Sequence, residues 1–362
     1  MKRISFLMLL TFFVVCYTNL WAKNKDEVTK TISEKYSTQT DTKLSINNRY
    51  GKVHINTWEK NEITVDIVIK AVGKDKEAAQ KILDQITVKY GQTGNLISYE
   101  TIINDSKKGS WFSWSWDTLW GDDEKSFEIN YTINMPKTND LNLENRYGAI
   151  FLDNYNGVLE LNLKYGSLKA NKLLGNGTKN ITISYSKGEI ESVEKGNLDF
   201  RYSSGKVDEV GEITLENRYG SFVINKARKV KTNTKYGSFA AQTIDELTGE
   251  VAYSGCEIGE LRKKLVMEIR YASGFQIDKI TDRFELIDIE GSYNSVKLGF
   301  DPKTALDFRV DLKYGDFKNG LNNVNLNKLR EENTSKYYEG SANGKGNLVD
   351  IRLSYGSVKF SN

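Results

Sequence analysis

Tyrosines followed closely by glycine or serine recur along this chain at nearly constant spacing. They stand at Tyr50, Tyr147, Tyr165, Tyr185, Tyr202, Tyr219, Tyr236, Tyr253, Tyr271, Tyr293, Tyr314 and Tyr355. From Tyr147 to Tyr314 the steps are 18, 20, 17, 17, 17, 17, 18, 22 and 21 residues. A unit of that length cannot bury an apolar face alone, so neighbouring units must stack and share one core. The period therefore predicts an all-β parallel β-helix, or solenoid, of short coils.

Alternation within each unit supports strands. Leu159, Leu161 and Leu163 lead into Tyr165; Ile181 and Ile183 into Tyr185; Leu198 and Phe200 into Tyr202; Val349, Ile351 and Leu353 into Tyr355. Period two with branched and aromatic residues marks a strand with one buried face. Each tyrosine falls on the apolar parity, so its ring is expected to point inward or to line an inner corner. Glycine follows at once (Gly148, Gly166, Gly220, Gly237, Gly315, Gly356) or within three residues (Gly188, Gly205, Gly255, Gly274). It is expected to supply the positive φ of a sharp corner. Coils about 4.8 Å apart would make the eleven from Tyr147 to Tyr355 a rod of roughly 50 Å. The phrase ENRYG at 144–148 and 216–220, with NNRYG at 47–51, reads as a reused corner. Asn48, Asn145 and Asn217 share the inward parity, where a buried amide needs hydrogen-bond partners.

The residue before the tyrosine is often basic (Arg49, Arg146, Lys164, Arg201, Arg218, Lys235, Arg270, Lys313), and Glu144, Asp199, Glu216, Glu268 and Asp311 precede it by two. The column could dock an anionic polymer. The side-by-side acid and base rows favour a self-neutralised surface instead.

Between Tyr50 and Tyr147 the period is interrupted. Lys74–Ile86 predicts a helix, with strands at Ile63–Lys70, Ile86–Tyr90, Leu96–Ile103 and Phe127–Ile133. This small α+β insert is expected to cap the stack or to add a side sheet, because an open strand edge invites aggregation. Within it, GSWFSWSWDTLWGDD at 109–123 gathers Trp111, Phe112, Trp114, Trp116 and Trp120. These rings either fold over the end of the stack or form an aromatic patch for a protein, a glycan or an envelope surface. A second excursion between Tyr314 and Tyr355, rich in asparagine and glycine, predicts a loop that leaves the stack before a last coil.

At the N-terminus Lys2 and Arg3 precede an apolar run from Ile4 to about Tyr17, and Leu20-Trp21-Ala22 offers a cleavage site. This is the pattern of a secretory signal. The division expected is 1–22 signal peptide, 23–139 first coil with its capping insert, and 140–362 repeats. The protein is expected outside the cytoplasm, in the periplasm, at the cell surface or secreted. Val14-Val15 before Cys16 fit a lipoprotein signal poorly. Cleavage would leave Cys256 as the remaining cysteine, with no internal disulfide. It would also remove two of the 51 basic residues against 48 acidic ones, leaving a charge of about +1. Such a balance lacks the basic face of a nucleic-acid binder, and no later run is long enough for a spanning helix.

Catalytic chemistry finds little to work with. His54 is the lone histidine, in the strand pattern KVHINTW, and reads as a surface or packing residue. Cys256 has no nearby metal-ligand pattern, and Asp117, Asp122 and Asp123 lack the spacing of a calcium loop. No cofactor and no metal is expected. A β-helix lyase or hydrolase acting on polysaccharide is the alternative, and it would need carboxylates at fixed separation that do not recur on one coil face.

The asparagine-aromatic-glycine corners (Asn48-Arg49-Tyr50-Gly51, Asn145-Arg146-Tyr147-Gly148), the alternating strands and the export signal resemble the bacterial putative-adhesin β-solenoid family over residues 40–362. The resemblance implies a slim right-handed β-helix and a non-enzymatic, adhesin-like role. The arginine-tyrosine wording and the tryptophan-rich segment depart from plain forms of that corner.

Overall fold

A computed structural model describes residues 25–104 and 126–362. Among them the protein is all-β: 26 strands joined in one sheet, with a single helix, α1 (Lys76–Leu83). The segment expected to be a signal peptide and the tryptophan-rich stretch 109–123, with Trp111, Phe112, Trp114, Trp116 and Trp120, lie outside the described residues.

Chain order begins with β1 (Asp26–Ser37), β2 (Lys43–Arg49), β3 (Val53–Trp58), β4 (Glu62–Gly73), β5 (Ile86–Thr93), β6 (Leu96–Ile103) and β7 (Ser126–Pro136). The first repeats follow as β8 (Asp140–Arg146), β9 (Ala149–Leu152), β10 (Leu159–Lys164), β11 (Ser167–Leu173) and β12 (Lys179–Ser184). Five long strands form the middle: β13 (Lys187–Arg201), β14 (Ser204–Arg218), β15 (Ser221–Lys235), β16 (Ser238–Ala252) and β17 (Gly255–Arg270). Here Lys187 meets Ser204, Ser204 meets Ser221 and Ser221 meets Ser238, all in parallel. The register offset equals the tyrosine step of 17 residues, so the sequence period is the distance from one strand to its neighbour. Between β16 and β17 the register shifts after Ile244, where Glu246 pairs with Lys264. That bulge takes up the 18-residue step from Tyr253 to Tyr271.

The C-terminal repeats are β18 (Gly274–Ile280), β19 (Leu286–Ser292), β20 (Ser295–Phe300), β21 (Leu306–Lys313), β22 (Asp316–Gly320), β23 (Val324–Glu331), β24 (Ser335–Ala342), β25 (Asn347–Ser354) and β26 (Ser357–Ser361). Two expectations change here. The excursion after Tyr314 is a hairpin, β23–β24, and β24 runs antiparallel along β21. The chain then returns inward: β25 pairs with β19 on one side and β21 on the other, and β26 sits between β20 and β22. The Tyr355 repeat is thus inserted between those of Tyr293 and Tyr314. The hairpin covers the edge of β21 that would otherwise be open, as sheets of this length require.

At the other end β2 and β3 pair directly with β8 and β9, so the Tyr50 repeat abuts the Tyr147 repeat. Beyond it β6 pairs in parallel with β2 and β7 with β3. The run closes in antiparallel strands, β5 on β6, β4 on β7 and β1 on β4. Helix α1 is shorter than the pattern suggests. Asp75 caps it, its carboxylate accepting the N–H of Ala78 at 2.7 Å, and Ala79 and Leu83 are buried.

The core is one continuous set of inward residues, with Phe200, Phe222, Phe239, Phe275 and Phe308 each at most 1% exposed. Gly188 and Gly205 belong to it and are not corner residues. A Cβ on Gly188 would lie 2.9 Å from the Phe200 ring, and one on Gly205 2.3 Å from the Phe222 ring. They are spaces that the large rings fill. The amide N–H groups of the three inward asparagines all find acceptors, while the buried Asn217 Oδ1 has no partner among the described residues. Asn48 donates to the Asn145 Oδ1 at 3.2 Å, Asn145 to the Gly51 carbonyl at 3.0 Å, and Asn217 to the Ser238 carbonyl at 3.0 Å.

Candidate functional site: a tyrosine ladder

The corner inverts the expected roles of tyrosine and glycine. All twelve repeat tyrosines, not the glycines after them, have positive φ, from +49° at Tyr271 to +62° at Tyr50. A left-handed residue costs a side chain roughly 1–2 kcal/mol, and such positions usually go to glycine or asparagine. Left-handed backbone also redirects the side chain, so strand parity stops applying. The rings do not face inward. Nine of them, from Tyr185 to Tyr355, are 46–50% exposed.

The glycine serves the approach of one repeat to the next. A Cβ on Gly148 would fall 1.8 Å from the Gly51 carbonyl oxygen, and one on Gly237 2.0 Å from that of Gly220. Where serine takes the place, its hydroxyl is used. The N–H of Gly166 donates to Ser186 Oγ at 2.9 Å, that of Ser186 to Ser203 Oγ at 3.1 Å, and that of Gly237 to Ser254 Oγ at 3.0 Å. The tyrosine N–H is tied as well, as from Tyr202 to the Arg218 carbonyl at 2.9 Å and Tyr219 to that of Lys235 at 3.1 Å.

Held this way, the rings form one file: Tyr50, Tyr147, Tyr165, Tyr185, Tyr202, Tyr219, Tyr236, Tyr253, Tyr271, Tyr293, Tyr355 and Tyr314. Centroids are 4.7–5.1 Å apart and ring planes within 1–19° of parallel. The spacing is that of adjacent strands, and the rings are offset-stacked. Phe127 closes the first end by meeting Tyr50 edge-on at 5.3 Å.

Both flanks are ordered. On one side four arginines of the basic column pair within their own repeat, Arg146 with Glu144 at 2.6 Å, Arg201 with Asp199 at 2.5 Å, Arg218 with Glu216 at 3.1 Å, and Arg270 with Glu268, while Lys235 pairs with Glu250 of the next repeat at 3.0 Å. Hydrogen bonding to those carboxylates raises the Arg201 and Arg270 guanidinium groups above their ordinary value. Lys164 lies over the Tyr165 ring at 5.1 Å. On the other side Ser204, Ser221 and Ser238 stand in register.

The remaining candidates have packing roles. His54 stacks on Phe151 at 4.4 Å, as a packing residue would. Cys256 is wholly buried, and burial pushes its thiol well above the ordinary range. In the N-terminal strands the Tyr36 and Tyr99 hydroxyls lie 2.9 Å apart, and burial pushes Tyr131 up to about 12. The sequence pattern misses one group. Lys179 is fully buried on the inward face, its Nζ donating to the Gly177 carbonyl at 2.5 Å, and burial pulls its pKa down to about 8.

No family model matches the chain, and no curated protein does. Solved structures to which it is similar include a putative cell adhesion protein from Clostridium sporogenes (12% identity, 92% of this chain and 99% of that one, TM-score 0.19). A putative adhesin from Parabacteroides distasonis (8%, 91% and 97%, TM-score 0.28) and a putative lipid binding protein from the same organism (10%, 92% and 97%, TM-score 0.28) are others. Bacterial proteins described as adhesins are thus among those to which the chain is similar. No helix among the described residues is long and apolar enough to cross a membrane.

Proposed function

We propose that this is an exported, non-enzymatic, adhesin-like interaction protein. Its repeats wind as a right-handed β-solenoid over residues 140–362, with residues 23–139 supplying a first coil and its cap. The ladder carries this reading. Nine half-exposed tyrosines offer on the order of 1,000 Å² of continuous aromatic surface, taking half of the roughly 150–250 Å² per ring. Monomeric proteins rarely expose patches beyond a few hundred Å² unless they bind something. The figure also matches the roughly 800 Å² that one partner contributes to a standard interface. Equal weak contacts repeated along a rigid file suit avid attachment to a repetitive surface. The rings sit where a tyrosine is strained, and strain kept at twelve positions argues for a use of the side chain there.

Binding of the mature protein to whole bacterial cells and to immobilised envelope fragments tests the proposal. Saturable binding is expected, lost when tetranitromethane nitrates exposed tyrosines and circular dichroism stays unchanged. Absence of binding to any such surface would overturn the proposal, as would turnover of acidic or neutral polysaccharide into new reducing ends or unsaturated products. The segment with Trp111, Trp114, Trp116 and Trp120 is proposed as a second contact, because tryptophan dominates binding hot spots.

A further inference from the structure

We infer that the ladder takes an uncharged, extended β-linked glycan lying lengthwise along the tyrosines, each sugar meeting one repeat. This deepens the interaction reading above and rests on it. Four observations select the ligand.

The ring faces are already used. With planes nearly parallel and centroids 4.7–5.1 Å apart, each tyrosine covers its neighbours' faces. A nucleobase or a partner's aromatic side chain cannot insert, which also removes interdigitation with a second copy of the ladder. What remains open is ring edges and hydroxyls. Aromatic edges carry the positive end of the quadrupole and suit electronegative oxygen.

The hydroxyls are available. Those of Tyr202, Tyr219, Tyr236 and Tyr253 have no hydrogen-bond partner among the described residues, and the rings are 49–50% exposed. Ser204, Ser221 and Ser238, each two residues after its tyrosine, stand in register with one another. Two parallel rows of hydroxyl groups can donate and accept in turn, which matches a polyol and not an apolar chain.

The period discriminates among polymers. An extended peptide advances about 3.3 Å per residue and falls out of step with rungs 4.7–5.1 Å apart. An extended β-linked sugar chain has a repeat close to one rung. Charge then decides between neutral and acidic glycans. Arg201, Arg218 and Arg270 are each occupied by a carboxylate of the same strand, so the ladder's border is zwitterionic.

The test measures binding of the mature protein to cello- and chito-oligosaccharides of increasing length, with polygalacturonate, alginate and helical amylose alongside. Affinity should climb with each added sugar of the neutral β-linked series and be insensitive to added salt. The variant Tyr202→Phe/Tyr219→Phe/Tyr236→Phe/Tyr253→Phe keeps the stack and removes four hydroxyls. It should bind at least about tenfold more weakly with an unchanged melting temperature. Ser221→Ala/Ser238→Ala gives an independent variant should the first lose its fold, with weaker binding again expected. Binding of acidic polymers alone, abolished by salt, would overturn the inference, and so would full binding by both variants. Failure of every glycan while cells are still bound would sink the ligand and leave the interaction reading standing. Failure of cells as well would sink both.

Discussion

At Tyr219 the order of stability among substitutions should run opposite to that of an ordinary strand. The ring stacks on Tyr202 at 4.7 Å and on Tyr236 at 5.0 Å and is 49% exposed, with φ at +57°. About 100 Å² of ring is therefore removed from water, worth roughly 2.5 kcal/mol at ~25 cal/mol per Å². Each stacked neighbour adds about 0.5–1.5 kcal/mol, partly overlapping with that burial. Tyr219→Ala loses most of this and keeps the strained φ, so it should cost about 2–4 kcal/mol. Tyr219→Gly loses the same contacts but is relieved of the roughly 1–2 kcal/mol of left-handed strain. Against that stands its extra chain entropy, about 0.5–1 kcal/mol relative to alanine. Glycine should hence be the more stable of the two by up to about 1.5 kcal/mol, whereas in a regular strand it would be the less stable. Tyr219→Phe keeps both stacks and should stay within about 0.5 kcal/mol of the parent. Urea denaturation reads the order from midpoints at constant slope, with circular dichroism and tyrosine emission required to coincide because repeat arrays can unfold in parts. An alanine variant more stable than the glycine variant would refute the idea that strain at the corner is offset by stacking.

Gly249 has φ +126°, and a Cβ there would lie 1.9 Å from the Thr232 carbonyl oxygen; Gly249→Ala should cost at least about 2 kcal/mol in the same assay. Cys256 should resist a thiol reagent in the native protein and react stoichiometrically in urea, since the thiolate is the reactive form and burial suppresses it. Lys179 is lowered to about 8 from 10.5, so the unfolded chain holds the proton more firmly and stability should rise with pH between those values. Lys179→Met should accordingly be more stable than the parent at pH 7, with the gap narrowing between pH 8 and 10.5 in pH-dependent melts. Trp114→Ser/Trp116→Ser should weaken attachment to cells without shifting the melting temperature; a fall of many degrees would make these rings part of the packing instead.

How much of this could be read from the residues depends on which rule each feature obeys. The pairing offset follows from the 17-residue step, because repeats of equal length can only share a core in register. Inward asparagines follow from parity, and the paired arginines from like charges that would otherwise line up between adjacent strands. The spatial order of the last repeats was not legible. Leu348 to Leu353 alternates in the same way whether β25 ends the stack or is inserted into it, and only the antiparallel pairing of β24 with β21 decides.

The tyrosines show where parity reasoning itself breaks. Counting by twos assumes extended backbone at every position, and it holds through Leu198 and Phe200, each at most 1% exposed. One residue before the corner Arg201 faces out as it should. At Tyr202 φ turns to +51°, the alternation ends, and a residue of inward parity emerges on the surface. A glycine after the tyrosine invites the assignment of positive φ to the glycine, yet its missing Cβ is needed for the carbonyl of the preceding repeat. The sequence did hold a sign of this. Glycine is replaced at Ser186, Ser203, Ser254, Ala272 and Asn294, while the tyrosine never changes across twelve corners. A position that needed positive φ would not accept alanine or serine so freely. The invariant member of the pair is the one whose side chain is used, and here that use is a stacked file running from the Tyr50 repeat to the Tyr314 repeat.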